Sequence, residues 1–279
     1  MTRIFVCLSL LALTVGLRPL AAQDSFKTLR EMIDASVKQV EILAGSEAKT
    51  PGEPLVALRW ANNARGSEDG TTVLYIFEGR PLAAACLYPW DGRLVHDFES
   101  LSRGKIIGRK DGADIWHPQA GLQFAPIEGA PVPEATPAQR LRQLRTLSEQ
   151  FQSAMLGWKA DSTDREQLRL LPKPLYRYEP KAGPVIDGAV FAFAMGTDPE
   201  SLLLIEAVEK DGKRTWEFAF ARRTSGELEG RHREKVVWHA DRYPAMKDPD
   251  LPRISVGAPI PPELLAIPAA RPSIPAARP

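Results

Sequence analysis

Apolar and polar residues alternate along two stretches of this chain that share one layout. In the first, Asp69-Gly70 opens an apolar run over 71–77, Glu78-Gly79-Arg80-Pro81 reverses it, 82–88 runs back, and Asp91-Gly92 turns the chain again. A strand pattern over 93–101, a Ser102-Arg103-Gly104 corner and Trp116-His117 complete the stretch. The second has the same parts in the same order: Asp187-Gly188, an apolar run over 189–195, a turn over 196–200, a run over 201–208, Asp211-Gly212, 213–222, Ser225-Gly226 and Trp238-His239. Asp-Gly between apolar runs signals a hairpin, because both residues tolerate the positive φ that a tight turn requires. Two antiparallel meanders of about five strands each are therefore expected. The intervals between matching landmarks nearly agree, which fits an internal duplication or two meanders that share only their turn chemistry.

A helical pattern precedes each meander. Phe26, Leu29, Ile33, Val37, Val40 and Leu43 recur at three and four, with a polar cap at Asp24 or Ser25 and Gly45 past the end. In the second stretch Thr136-Pro137 supplies a cap and a first-turn proline, and Leu141, Leu144, Leu147, Phe151, Ala154 and Met155 form the stripe. The strand runs carry bulky residues on one face (Phe191, Phe193, Trp216, Phe218, Phe220) and alanines on the other (Ala192, Ala194, Ala219, Ala221). Such a sheet can take a helix closely on its small face and build a core on its large one. The expected fold class is α+β: two similar units, 23–128 and 137–243, each a helix followed by a meander. A Pro/Ala linker over 129–136 joins them.

The ends of the chain change the picture of where it works. Residues 1–22 read as a secretory signal peptide, with Arg3, an apolar run over 4–17 too short to span a bilayer, and Ala22 at the cleavage edge. The protein is therefore expected to be exported, to the periplasm or the exterior, with no transmembrane segment after cleavage. Cleavage removes Arg3 and Arg18, so 34 of the 36 basic residues remain against 35 acidic ones, and no attraction to nucleic acid follows. Cys86 becomes the one cysteine, read as a small buried residue. Residues 244–279 are rich in proline and repeat Ile-Pro-Ala-Ala-Arg-Pro, which reads as an unpacked tail, either a solvated terminus or a tether to an envelope component.

Signatures of catalysis are missing: no Gly-x-Ser-x-Gly, no His-Glu-x-x-His, no phosphate-binding glycine loop, no Cys-x-x-Cys, and no motif for a cofactor. Four histidines remain. His96 lies beside Asp97 and Glu99 within an apolar strand, and these three are the candidate catalytic residues, although alternation sends His96 and Asp97 to opposite faces. A buried core histidine is the competing reading. His117 and His239 hold matching places after tryptophan, which makes them candidate metal ligands or proton carriers; a packed indole with an exposed imidazole is the plainer account. Arg140, Arg142 and Arg145 crowd the second helix, as a solvated face or an anion site. The basic residues from Arg222 and Arg223 to Lys235 are interleaved with glutamates that offset their field.

Several motifs resemble an uncharacterised family of secreted bacterial proteins: Arg65-Gly66-Ser67, Gly79-Arg80-Pro81, His96-Asp97-Phe98-Glu99-Ser100-Leu101, Thr136-Pro137-Ala138-Gln139-Arg140, Tyr176-Arg177-Tyr178 and Gly196-Thr197-Asp198-Pro199-Glu200. The resemblance runs from about Leu55 to Ala240 and implies export and one recurrent architecture, with no catalytic residue to carry over. Three functional expectations result: an exported non-catalytic binding or scaffold protein, a hydrolase that uses His96 with a nearby carboxylate, or a protein that holds a small apolar ligand between helix and curved sheet.

Overall fold

A computed structural model describes residues 27–45, 49–62, 67–119, 121–157, 164–243 and 247–265. The expected signal peptide and the repeated end of the tail lie outside them. The chain runs α1 (Leu29–Lys38), β1 (Val40–Leu43), β2 (Glu53–Asn62), β3 (Ser67–Phe77), β4 (Arg80–Trp90), β5 (Arg93–Ser100), β6 (Ile107–Lys110), β7 (Ala113–Trp116) and β8 (Ala125–Pro126). It continues with α2 (Pro137–Ser148), β9 (Phe151–Leu156), β10 (Arg165–Leu170), β11 (Tyr176–Tyr178), β12 (Val185–Met195), β13 (Asp198–Lys210) and β14 (Lys213–Arg222). Last come β15 (Glu227–His232), β16 (Lys235–Ala240), β17 (Arg253–Pro259) and α3 (Pro262–Leu265).

These elements correct the α+β expectation of two helix-plus-meander units. Of the described residues 55% are strand and 12% helix, and they form three helices and three antiparallel sheets, one a curled half-barrel. The sheets are β1-β6-β7, then β17-β5-β4-β3-β2, then a nine-stranded sheet in the order β16-β15-β9-β10-β12-β13-β14-β8, with β11 added on β12. Each expected helix is shorter than its stripe. Val40 to Leu43 pairs with β6, and Phe151 to Leu156 pairs with both β10 and β15. In both places the residues also read as alternating strand, and pairing with distant strands decides over the local helical period. The second helix has the expected cap, Thr136, which accepts from the Gln139 amide; α1 starts later than expected and is capped by Thr28, which accepts from the Glu31 amide, while the expected caps Asp24 and Ser25 lie outside the described residues.

The turn reading also divides. Asp91-Gly92 and Asp211-Gly212 are tight hairpin turns with positive φ at both residues, 47° and 68° in one, 52° and 71° in the other. Asp69-Gly70 and Asp187-Gly188 lie inside β3 and β12 instead. There each glycine leaves room for an aromatic ring from the neighbouring strand: a Cβ on Gly70 would sit 2.3 Å from the Trp60 indole, and one on Gly188 2.5 Å from the Tyr178 ring. A glycine within a strand often marks such a close approach.

The two large sheets face each other across their small-residue sides. Leu74, Ala84, Val190, Ala192, Leu202, Leu204 and Ala221 form this layer. The helices cover the opposite, bulky sides, the reverse of the sequence expectation. Ile33 and Val37 of α1 pack with Tyr75, Phe98 and Trp116; Leu144 and Leu147 of α2 pack with Phe151, Phe191, Phe218 and Phe220. Small residues bring two sheets together at least as well as they admit a helix, while a lone helix needs large side chains to fill the space beneath it.

The segment expected to be an unpacked tail contributes a strand. Strand β17 pairs with β5 over Arg253 to Pro259, where Ile254 and Val256 alternate with Arg253 and Ser255. Arg253 is 1% exposed. No described helix is long and apolar enough to cross a membrane.

Candidate functional site

Alternation on β5 settles what its polar residues can do. Asp97 stands opposite Cys86 of β4 and Ser255 of β17, and Glu99 stands opposite Ala84 and Arg253. All six therefore face the inter-sheet layer, since residues directly opposed across an antiparallel ladder share a face. His96 stands opposite Leu87 and Val256 and faces the α1 core instead.

His96 is 1% exposed and packs edge-on against Phe98, their centroids 6.1 Å apart. Neither ring nitrogen has a hydrogen-bond partner. Burial, followed by the positive charge of Lys110, pushes its pKa down to about 4. A void of about 80 Å³ beside it is lined by Lys110, Ile115 and Val256. No carboxylate is hydrogen-bonded to His96, so the structure does not assemble the acid–base couple that the hydrolase expectation needs.

Asp97 and Glu99 belong to a different cluster. Arg253 Nη2 donates to Asp97 Oδ2 at 2.7 Å, and the Tyr88 hydroxyl donates to the same oxygen at 3.0 Å. Glu99, 4% exposed, has its pKa raised to about 8, because loss of hydration outweighs the pull of Arg253, Arg223 and Arg222.

The second sheet completes this cluster. The ladder Leu202–Ala221 places Glu200 and Arg223 on the same inter-sheet side, and the Arg223 amide donates to the Glu200 carbonyl at 2.8 Å. Between the sheets, at this end of the layer, opens a cleft of about 360 Å³. Trp60, Tyr88 and Trp90 line one side; Arg223, Arg242 and Arg253 supply its positive charge. Nearby, Asn62 Nδ2 donates to Asp198 Oδ2 at 2.9 Å across the two sheets.

Arg223 is the unusual member. Its side chain is 4% exposed, and none of its three guanidinium nitrogens has a hydrogen-bond partner. A buried arginine with unused donors costs several kcal/mol unless something else meets it, on the order of 1–3 kcal/mol for each unsatisfied polar group and more for a charge. The other buried arginines are engaged. Arg140, expected on a solvated face or in an anion site, donates to Asp187 at 2.8 Å and ties α2 to β12, and Arg177 joins the same carboxylate. Arg222 donates to the carbonyls of Thr224, Gly226 and Asp241.

The paired histidines are not brought together. His117 follows β7, with Nδ1 2.7 Å from Asp250 Oδ1, while Trp116 beside it is buried and donates to the Leu251 carbonyl. His239 lies on β16 in the nine-stranded sheet, 3.1 Å from Asp241 and 3.5 Å from Glu227. Among the described residues no group of three or more His, Cys, Asp or Glu is placed to hold a metal.

Sequence reasoning found Asp97 and Glu99 because charges stand out in an apolar strand. It missed Arg223 and Arg253. Arg223 continues the alanine-face parity of Ala219 and Ala221, which marks it as a charge turned into the inter-sheet layer. Arg253 opens a short alternation with Ile254 and Val256 that the surrounding prolines obscure. Comparison with known protein families, with curated proteins and with solved structures found no match.

Proposed function

We propose that this chain is an exported, non-catalytic binding protein whose small ligand occupies the cleft between the two sheets. The observation that carries the reading is Arg223: a buried guanidinium with three unengaged nitrogens in the wall of a cleft is a recognition group awaiting an acceptor. Export is supported by the leader-like residues 1–22 and by the resemblance to secreted bacterial proteins.

A thermal-shift screen of the full chain against a library of small anions, cations and neutral compounds tests this. A ligand held at a hundred times its Kd stabilises the fold by about 2.7 kcal/mol, which displaces Tm by several degrees. At least one compound is expected to do so, and Arg223→Met is expected to erase the shift. A library in which nothing stabilises the native protein, or stabilisers indifferent to Arg223, removes the binding reading.

A further inference from the structure

The chemistry of the cleft narrows the ligand class, an inference that rests on the binding reading above. Arg223 offers a planar fork of N–H donors, and Trp60 Nε1, from the facing sheet, is another buried donor of the cleft without a partner. Unused donors call for an acceptor, and a guanidinium fork matches a planar two-oxygen anion best. The surrounding charges limit how negative that anion can be. Asp97, Asp198 and Glu200 line the cleft with Arg223, Arg242 and Arg253. Arg253 and Asp97 neutralise each other, and Arg242, which donates to the Gly157 carbonyl at 2.7 Å, keeps its charge, so the guanidinium groups and carboxylates of the lining stand near balance and Arg223 is the guanidinium with donors unused. A single negative charge suits that balance, whereas a phosphate dianion is repelled by the carboxylates.

The rest of the wall is aromatic. Trp60 and Tyr88 lie with centroids 6.0 Å apart at 45°, and Trp90 stands 54% exposed at the rim. Flat apolar walls bury a ring or short hydrocarbon body, and about 360 Å³ sits at the small end of ligand pockets. We propose that the cleft binds a small monocarboxylate with an aromatic or apolar body, its carboxylate forked on Arg223 and its body against Trp60, Tyr88 and Trp90.

Isothermal titration of the full chain with phenylacetate, phenylacetamide and inorganic phosphate reads each element of this proposal. Phenylacetate is expected to bind at least tenfold more tightly than either of the others. Arg223→Met is expected to lose tenfold or more, and Arg223→Lys, which keeps the charge and loses the fork, to fall between; urea unfolding of each variant verifies its fold. Equal binding of acid and amide, tighter binding of phosphate, or a folded Arg223→Met protein of native affinity overturns the carboxylate assignment and leaves the binding reading standing. Absence of heat with phenylacetate overturns it too, and the thermal-shift screen then decides separately whether the cleft holds anything.

Discussion

The inter-sheet layer ends in charge on both sides, and its two ends behave differently. Along one face of β13 the residues run Glu200, Leu202, Leu204, Glu206, so the two glutamates stand about 20 Å apart at some 3.3 Å per residue. At the Glu206 end every charge has an ion-pair partner, although Arg80 Nη2 makes no hydrogen bond. Arg80 donates to Oε1 at 2.8 Å, Arg103 to Oε2 at 2.6 Å, and the Tyr178 hydroxyl to Oε1 at 2.8 Å. Arg103 also reaches Glu217 at 2.7 Å, and Phe124 lies beneath its guanidinium at 3.7 Å. At the Glu200 end a cleft replaces the aromatic cover, and Arg223 is left with donors unused. Similar ingredients, arginines and carboxylates between two sheets, close one end and equip the other. Whether each arginine is bonded to a carboxylate separates a structural cluster from a recognition site better than burial does, because both clusters are buried.

The sharpest way to break that comparison is to remove one charge from each end. Glu206→Ala strands Arg80 and Arg103 around an empty site. Removing one partner of a buried pair typically costs about 3–5 kcal/mol, and the half-exposed Arg103 places this case at the lower end. Arg223→Met, by contrast, removes a guanidinium that makes no hydrogen bond, so its cost in urea unfolding is expected to stay below about 1 kcal/mol. Equal losses at the two ends would show that Arg223 is as structural as Glu206.

Acidity sharpens the same contrast. Folding raises Glu99 from 4.5 to about 8, so between these values the native chain keeps a proton that the unfolded chain has released. Stability therefore falls with rising pH across that window, by about 1.4 kcal/mol per unit at most. Buried His96, lowered from 6.5 to about 4, acts oppositely: between pH 4 and 6.5 the unfolded chain binds the extra proton, and stability rises with pH. The two offset each other below pH 6.5, leaving a net decline from about 6.5 to 8. Glu99→Gln is expected to flatten that decline and expose the rising limb below it, as denaturation at a series of pH values would record. An unchanged profile would mean that Glu99 is ionised in the fold.

Gly70→Ala probes the aromatic wall. The new methyl meets the Trp60 indole, and overpacking of this kind costs about 1–3 kcal/mol. Because Trp60 lines the cleft, the substitution is expected to weaken phenylacetate binding as well as stability. Gly188→Ala makes the matching clash with Tyr178 at the closed end and is expected to lower stability alone, with native affinity once the protein is folded.

How far the sequence revealed this arrangement depended on the range of each interaction. Hairpins set by adjacent residues, such as Asp91-Gly92 and Asp211-Gly212, were legible because the turn chemistry is local. Gly70 and Gly188 misled for the same reason: the rings that require them arrive from other strands. Val40 to Leu43 and Phe151 to Leu156 read as helix because their true partners lie far along the chain, in β6, β10 and β15. The polar pair Asp97 and Glu99 was visible, whereas its partner Arg253 lies 156 residues beyond Asp97, in a segment whose prolines suggested no structure. The alanine faces were visible too, but whether a helix or a second sheet covers them is a tertiary choice that alternation does not encode.

The smallest expected effect concerns Cys86, which shares the cleft wall with Asp97 and Arg223. A thiol lining a cleft invites the idea of a nucleophile, and nearby Arg223 and Arg253 do favour its thiolate. Burial is stronger: it pushes the thiol up to about 12, so at pH 8 about one molecule in ten thousand carries the reactive form. At 3% exposed, Cys86 also offers little surface to a reagent. Ellman's reagent is therefore expected to leave Cys86 unlabelled in the native protein over minutes and to titrate it in urea. Fast native labelling would mean that the open end breathes widely enough to hydrate Cys86, in which case Arg223 would meet water there as well, and its unused donors would no longer set the two ends of the layer apart.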